Sequence, residues 1–175
     1  MLIGSKRLDE KQYPVNKHVV YLSLGTNLGN RLENLKQAMD RLKIFCKNVI
    51  SSSVYETDPW GFEDQPIFYN QVVRIETILE PLPLLQEIKK IELEMGRIPT
   101  FLYGPRLIDI DILLYDRLMM NSPELKIPHP QMKSRAFVLT PLVEIAPDLV
   151  IPGEVVDVET LNRIAGSTGI RKVEE

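Results

Sequence analysis

The segment 107–115 constrains the fold of this 175-residue chain more than any other part of the sequence. Its apolar positions recur with the period of a β-strand, and those expected to share one face are Ile108, Ile110, Ile112 and Leu114. Asp109 and Asp111 fall on the opposite face, roughly 7 Å apart along the strand. We therefore predict a strand with one face in the hydrophobic core and two neighbouring carboxylates on the other.

The remaining patterns indicate that strands and helices alternate along the chain. Strands are predicted at 18–24, near 49–56 and at 68–77. Helices are predicted after Asn30, over 135–145 and, as a short one, after Val155, and a further helix has Pro83 in its first turn and ends at Gly96. In the helix that begins near Pro83, the buried stripe is expected to be Leu84, Ile88, Ile91 and Met95. The order β-α-β-β-α-β predicts an α+β fold of the ferredoxin-like kind, an antiparallel sheet with helices packed on it.

Length and composition favour one domain over 18–175, preceded by a polar N-terminal tail at 1–17. The net charge of −3 and the pI near 5.5 argue against a nucleic-acid partner. No apolar run approaches the ~18 residues that span a bilayer, so no membrane partner is expected. Cys46 is the only cysteine, which excludes an internal disulfide and fits a cytoplasmic location. The oligomeric state is left open, with a monomer slightly favoured.

The carboxylate pair on the predicted strand is the first candidate for chemistry. Asp109 and Asp111 offer hard oxygen ligands of the kind that bind Mg²⁺ brought in with the phosphates of a nucleotide. Arg97 and Arg106 flank the pair, and the planar guanidinium of arginine fits phosphate oxygens. The alternatives are a solvent-facing strand edge for the aspartates and simple pairing of Arg97 with a helix C-terminus.

A second set of candidates follows the strand. His129 stands between Pro128 and Pro130, and Arg135 opens the next predicted helix. Both could reach phosphate, with His129 as a donor to a phosphoryl oxygen and Arg135 at the positive end of the helix. A purely structural role for the histidine is the alternative.

A third cluster is typical of a pocket for a flat polar ring. Phe68, Asn70 and Val72 share one face of a predicted strand, where the phenyl ring can stack and the amide can both donate and accept. The turn that contains Trp60 could close one wall, and Phe137 offers a second aromatic ring. The alternative is that these aromatic side chains belong to the core.

Taken together, these motifs resemble the 6-hydroxymethyl-7,8-dihydropterin pyrophosphokinase family of the folate pathway. The resemblance runs from about Val19 to Pro152 through blocks at 24–29, 55–61, 64–70, 91–97, 103–112 and 127–137. Its most specific part is Gly-Pro-Arg-Leu-Ile-Asp-Ile-Asp at 104–111. It implies an enzyme that transfers pyrophosphate from ATP, the co-substrate, to the hydroxymethyl oxygen of the pterin and releases AMP. The implied fold is ferredoxin-like with helices on both faces of the sheet.

The resemblance also implies a role for each candidate residue. Asp109 and Asp111 would hold two Mg²⁺ ions. The residues that handle the triphosphate would be Arg97, Arg106, His129 and Arg135, and those that line the pterin pocket would be Thr57, Pro59, Trp60, Phe68, Asn70 and Phe137. Catalysis would rest on Arg97, Arg106 and Asp111, the last as a candidate proton acceptor.

The loop at 98–103 departs from the family pattern, in which additional basic residues are common. Here it contains no lysine or arginine and is one residue shorter. A loop of this kind is a natural lid over the nucleotide, and the loss of its cations predicts slower turnover than in a relative with a basic loop.

Two other functions remain open from the sequence. A γ-phosphoryl or nucleotidyl transferase could use the same metal site and would differ in the nucleotide product. A non-catalytic ferredoxin-like module could bind nucleotide or metal as a sensor.

Overall fold

The computed structural model describes residues 16–59, 63–98 and 104–174. The predicted tail at 1–17 therefore falls almost entirely outside the described residues. The strands are β1 (His18–Thr26), β2 (Cys46–Ser51), β3 (Tyr55–Thr57), β4 (Phe68–Thr77), β5 (Asp109–Tyr115), β6 (Met120–Asn121), β7 (Lys126–Ile127) and β8 (Ile170–Lys172). The helices are α1 (Arg31–Leu42), α2 (Pro81–Glu94), α3 (Ala136–Ile145) and α4 (Val158–Ala165), with a short 3₁₀ helix at Met132–Ser134.

Six of the strands form one antiparallel sheet. Its order is β5-β1-β4-β3-β8, and β2 pairs with β4 alongside β3. β1 thus lies between β4 and β5, which are the third and the last strand of the β-α-β-β-α-β unit, as in ferredoxin-like folds. β6 and β7 form a separate hairpin. The predicted fold class is confirmed.

Helices cover both faces of the sheet. On one face, α1 and α2 pack their buried side chains, Leu35, Ala38, Leu42, Leu84, Ile88 and Ile91, against strand residues such as Leu22, Leu24, Ile75 and Ile110. On the other face, Val138, Leu139 and Leu142 of α3 and Val158 of α4 pack against Tyr21, Val72 and Leu113. None of the helices in the described ranges is both long enough and apolar enough to cross a membrane.

A β-bulge in β5 corrects one prediction about the faces of this strand. The pairing of β1 with β5 shifts between Tyr21 and Leu22, which are opposite Leu114 and Ile112. Leu113 is therefore the extra residue, and the alternation of faces slips by one beyond it. Leu114 packs in the α3 cluster and Tyr115 in the α1–α2 cluster, so the prediction that Leu114 shares a face with Ile112 is wrong.

The element boundaries agree closely at most other points. β4 spans 68–77 as predicted, and α2 begins at Pro81 and has Pro83 in its first turn, as predicted. The predicted strand near 49–56 is two strands, β2 and β3, with residues 52–54 between them. The strands β6, β7 and β8 are short and were not predicted.

The side chain of Asn27 joins three segments around one end of the sheet. It follows β1 and is 2% exposed. Its Oδ1 accepts from the Arg106 backbone N–H at 2.8 Å, and its Nδ2 donates to Gln65 Oε1 and to the Pro66 carbonyl at 3.0 Å each. Asn27 therefore fixes the backbone immediately before β5.

We predict that Asn27→Ala lowers the free energy of unfolding by about 2 kcal/mol, because the part-buried Arg106 N–H loses its acceptor. Urea unfolding monitored by circular dichroism measures the change. Gln37→Ala is the matched control, since Gln37 is exposed on α1 and its Nε2 donates to Glu33 of the same helix. Equal urea midpoints for the two variants would contradict this role of Asn27.

Candidate active site

A cleft of about 370 Å³ opens on the α3 side of the sheet, at the end where β1 finishes and β4 and β5 begin. The part of the chain that the structure describes lines it with Ser23, Gly25, Thr57, Asp58, Phe68, Asn70, Lys89, Arg97, Arg106, Asp109, Asp111, His129, Gln131, Arg135 and Phe137. Strands β1, β3, β4 and β5 and the segment between β7 and α3 all contribute.

Gly25 lines this cleft between two polar side chains, Asp109 and Asn70. Strand register places it opposite Asp109 of β5 on one side and opposite Asn70 of β4 on the other. A Cβ atom at this position would lie 3.1 Å from Asn70 Oδ1, closer than most real Cβ contacts. A glycine therefore leaves the space between the carboxylates and the amide open.

Asp109 is held by two arginines, one on each carboxylate oxygen. Arg97, just after α2, lies 2.8 Å from Oδ1, and Arg106 lies 2.7 Å from Oδ2. Burial alone would lower the pKa of Arg97, but the charges of Asp109 and Glu92 outweigh it and the pKa is raised. The two arginines predicted to flank the carboxylate pair thus contact Asp109 directly.

Arg97 also contacts a buried carboxylate, that of Glu92 in α2. It is 2% exposed and accepts the backbone N–H of Ile110 at 2.7 Å. Its oxygens also pair with Arg97 Nη1 at 2.5 Å and with Lys89 Nζ at 2.9 Å. Glu92 therefore ties α2 to β5 and orients two cations toward the cleft.

Asp111 has a different environment from Asp109. Its side chain is 34% exposed, and no described lysine or arginine lies within ion-pair distance of it. Partial burial and the neighbouring charge of Asp109 raise the pKa of Asp111, while Lys89, Arg135 and Arg106 act in the opposite direction. The position would accept additional positive charge.

The donor set fits Mg²⁺ that arrives with a phosphate ligand. Within the described ranges, no three His, Cys, Asp or Glu side chains converge as a complete metal cage. Mg²⁺ commonly uses only one or two carboxylates and completes its shell with substrate phosphates and water. Asp109 and Asp111 on adjacent outward positions of β5 meet that requirement.

His129 is held so that one ring nitrogen faces the carboxylates. Its backbone N–H donates to the Leu113 carbonyl, and its Nδ1 accepts the Gln131 N–H at 3.2 Å. In the neutral ring the hydrogen is then on Nε2, which lies 3.9 Å from Asp111 Oδ2. Burial, followed by the charge of Arg135, lowers the pKa of His129 to about 4. The ring is therefore a neutral donor toward the cleft at pH 7.

The cluster of Phe68, Asn70 and Phe137 adjoins this charged region. Asn70 is buried and its Nδ2 donates to Thr57 Oγ1 at 2.7 Å. The guanidinium of Arg106 lies 5.5 Å from the centre of the Phe68 ring. Arg135 has the same distance to the Phe137 ring and contacts the Gln131 side chain. Each aromatic side chain is thus next to one of the arginines.

Most residues predicted from the sequence meet in this one cleft. They are Arg97, Arg106, Asp109, Asp111, His129, Arg135, Thr57, Phe68, Asn70 and Phe137. Pro59 follows the cleft-lining Asp58 but is not among the lining residues in the described chain. Trp60 and the loop at 99–103 lie outside the described residues, so the predictions about them remain predictions.

Sequence reasoning missed Lys89 and Glu92, and one signal could have revealed them. Glu92 falls on the same helical face as Leu84, Ile88 and Ile91, which form the buried stripe of α2. A carboxylate on a buried stripe requires a cationic partner, and Lys89 stands one helical turn before it.

Comparison with known families gives a consistent result. A family model described as 7,8-dihydro-6-hydroxymethylpterin-pyrophosphokinase matches residues 21–147. The 2-amino-4-hydroxy-6-hydroxymethyldihydropteridine pyrophosphokinase of Aquifex aeolicus is 45% identical over 133 residues, which cover 76% of this chain and 83% of that protein. The protein of the same name from Methylorubrum extorquens is 44% identical over 156 residues, which cover 88% of this chain and 98% of that protein.

Longer proteins also match. The folic acid synthesis protein fol1 of Pneumocystis carinii is 45% identical over 85% of this chain, which spans only 20% of that protein. Among solved structures, Plasmodium falciparum HPPK-DHPS with pterin and p-hydrobenzoate superposes with a TM-score of 0.71 at 17% identity. That match covers 90% of this chain and 48% of the other, and at this identity it supports the fold alone.

We predict that His129 makes the protein sensitive to acid. The pKa of His129 is near 4 in the folded state and near 6.5 in the unfolded state. Between pH 4 and pH 6.5 the folded state therefore binds fewer protons than the unfolded state. The contribution of His129 to the free energy of unfolding is therefore complete above pH 6.5 and is lost as the pH drops toward 4. The loss amounts to about 2 kcal/mol after allowance for the partial exposure of this side chain.

His129→Asn retains an acceptor for the Gln131 N–H and removes the titrating ring. Urea unfolding at pH 7 and pH 4.5 should show a smaller acid-dependent loss in the variant than in the parent protein. The same loss in both proteins would show that His129 is not its source.

Proposed function

The chain belongs to the 7,8-dihydro-6-hydroxymethylpterin-pyrophosphokinase family, and on that premise we propose that it acts in folate biosynthesis. The proposed reaction transfers a pyrophosphoryl group from ATP to the hydroxymethyl oxygen of 6-hydroxymethyl-7,8-dihydropterin and releases AMP. A cytoplasmic location and small-molecule substrates belong to the same proposal.

The observation that carries this proposal is the joining of two unlike regions in one cleft. One region has two carboxylates with Arg97 and Arg106 beside them, which suits a metal-bound polyphosphate. The other has an amide and two aromatic side chains, which suit a flat heterocycle. A reaction between a nucleoside triphosphate and a pterin needs both regions side by side.

On the phosphate side, we assign the triphosphate to Arg97, Arg106, Arg135 and the Nε2–H of His129. Arg97 and Arg106 are already oriented by Asp109, and Glu92 holds Arg97 from behind. Donors fixed before the substrate arrives stabilise the developing charge without a cost of reorganisation during the reaction. This is the basis for the catalytic roles proposed for the two arginines.

Two Mg²⁺ ions are expected at Asp109 and Asp111 when the nucleotide is bound, where they would neutralise charge on the phosphate oxygens. No group of three His, Cys, Asp or Glu side chains in the described part of the chain could hold an ion by itself, so phosphate oxygens and water would complete the coordination. The raised pKa of Asp111 indicates that its ionised form gains from a nearby cation.

On the pterin side, we propose that Phe68 and Phe137 stack on the two faces of the ring and that Asn70 bonds to its edge. The bond from Asn70 Nδ2 to Thr57 fixes the orientation of the amide. Pro59 and Trp60 are the further members of this pocket that the family resemblance implies.

The proposed chemistry is an in-line displacement. The hydroxymethyl oxygen attacks the β-phosphorus, the bond from this phosphorus to the oxygen shared with the α-phosphate breaks, and that oxygen leaves with AMP. Transfers of this class depend mainly on positioning and electrostatics, so they require no strong base. Asp111 is the proposed acceptor of the hydroxyl proton.

We expect incubation with Mg-ATP and 6-hydroxymethyl-7,8-dihydropterin to yield AMP and a diphosphorylated pterin in equal amounts, as measured by ion-exchange separation of the products.

Asp111→Asn should lower the rate of this reaction at least about a hundredfold, because it removes a charged ligand from the site of phosphoryl transfer. Asp40→Asn is the control, since Asp40 is exposed on α1 and pairs with Lys43.

ADP as the nucleotide product would instead indicate γ-phosphoryl transfer, and pyrophosphate would indicate nucleotidyl transfer. Tight binding of both substrates without turnover would indicate a binding module. Each of these three outcomes contradicts the proposed reaction.

A further inference from the structure

Lys89 lines the cleft, although it belongs to none of the motifs that identify the phosphate region. It is part of α2, and its side chain is 47% exposed. Its Nζ lies 3.1 and 2.9 Å from the two oxygens of Glu92. The ammonium is therefore held at the edge of the cleft and remains accessible to a ligand.

The ion pair of Lys89 with Glu92 differs from an ordinary surface ion pair because Glu92 is buried. Glu92 is buried, its side chain is only 3% exposed, and the same carboxylate binds Arg97 and the Ile110 N–H. One anion thus fixes two cations beside each other, and the group of three has a net positive charge. A lysine ammonium has three hydrogens, so it can keep a bond to Glu92 and donate another to a ligand.

We propose that Lys89 is a phosphate-binding residue whose ammonium contacts a phosphoryl oxygen of the bound nucleotide beside Arg97. This inference rests on the proposed function and adds a residue to it. Lys89 supplies from α2 a positive charge that the loop at 98–103 does not contain in its sequence. Glu92 is the positioning residue that keeps Lys89 and Arg97 directed toward the phosphates.

The neighbouring lysine shows what an ordinary surface position on α2 looks like. Lys90 has a side chain that is 62% exposed, pairs with Glu87 at 4.0 Å and is not among the residues that line the cleft. Lys89 and Lys90 are adjacent on one helix, and the same substitution, lysine to methionine, can be made at each. Lys90 is therefore a matched control for Lys89.

The test is calorimetric titration with the magnesium complex of α,β-methylene-ATP, which lacks the oxygen bridge that the reaction breaks. Lys89→Met should raise the Kd of this analogue about tenfold or more, as expected for the loss of a hydrogen bond between charged groups. Lys90→Met should stay within about twofold of the parent protein, as a surface change does. Lys89→Arg should recover part of the loss.

Two further readings separate binding from folding. The Kd of 6-hydroxymethyl-7,8-dihydropterin should not change in Lys89→Met, and the dependence of nucleotide binding on salt should become weaker. Equal nucleotide affinity in Lys89→Met and Lys90→Met would overturn the inference, as would equal losses of nucleotide and pterin affinity. Failure of the parent protein to bind the analogue would overturn the proposed function and this inference together.

Discussion

The site depends on the neutralisation of like charges at the start of β5. Asp109 and Asp111 face the same side of a strand whose other side is in the core, and two carboxylates so placed repel each other. Arg97 and Arg106 neutralise Asp109, and buried Glu92 holds Arg97 from the other side. The same contacts fix the residues that follow α2 and the segment that precedes β5.

The ferredoxin-like sheet makes this arrangement possible. β1 lies between β5 and β4, so it places Gly25 between Asp109 and Asn70 and brings the charged region next to the start of β4. α3 and α4 cover the rest of this face, while α1 and α2 fill the opposite face with apolar side chains. The stable core and the polar cleft therefore occupy different parts of one sheet.

Much of this could be predicted from local patterns, because strand alternation and helical stripes depend on residues close in sequence. The extents of β4 and of the buried stripe of α2 follow directly from such periods. The bulge at Leu113 could not be predicted, because it is set by the register with β1 rather than by β5 itself. Lys89 was missed for a similar reason: its place in the cleft depends on a buried partner, Glu92, and on the packing of α2 against β5.

The central claim is that the two carboxylates of β5 bind metal together with the nucleotide. Calorimetric titration with α,β-methylene-ATP, with Mg²⁺ and with excess EDTA, tests it in the parent protein and in the double variant Asp109→Asn, Asp111→Asn. The account predicts that Mg²⁺ strengthens nucleotide binding by the parent protein and has little effect on the variant, while both bind the pterin. The same gain from Mg²⁺ in both proteins would contradict the account.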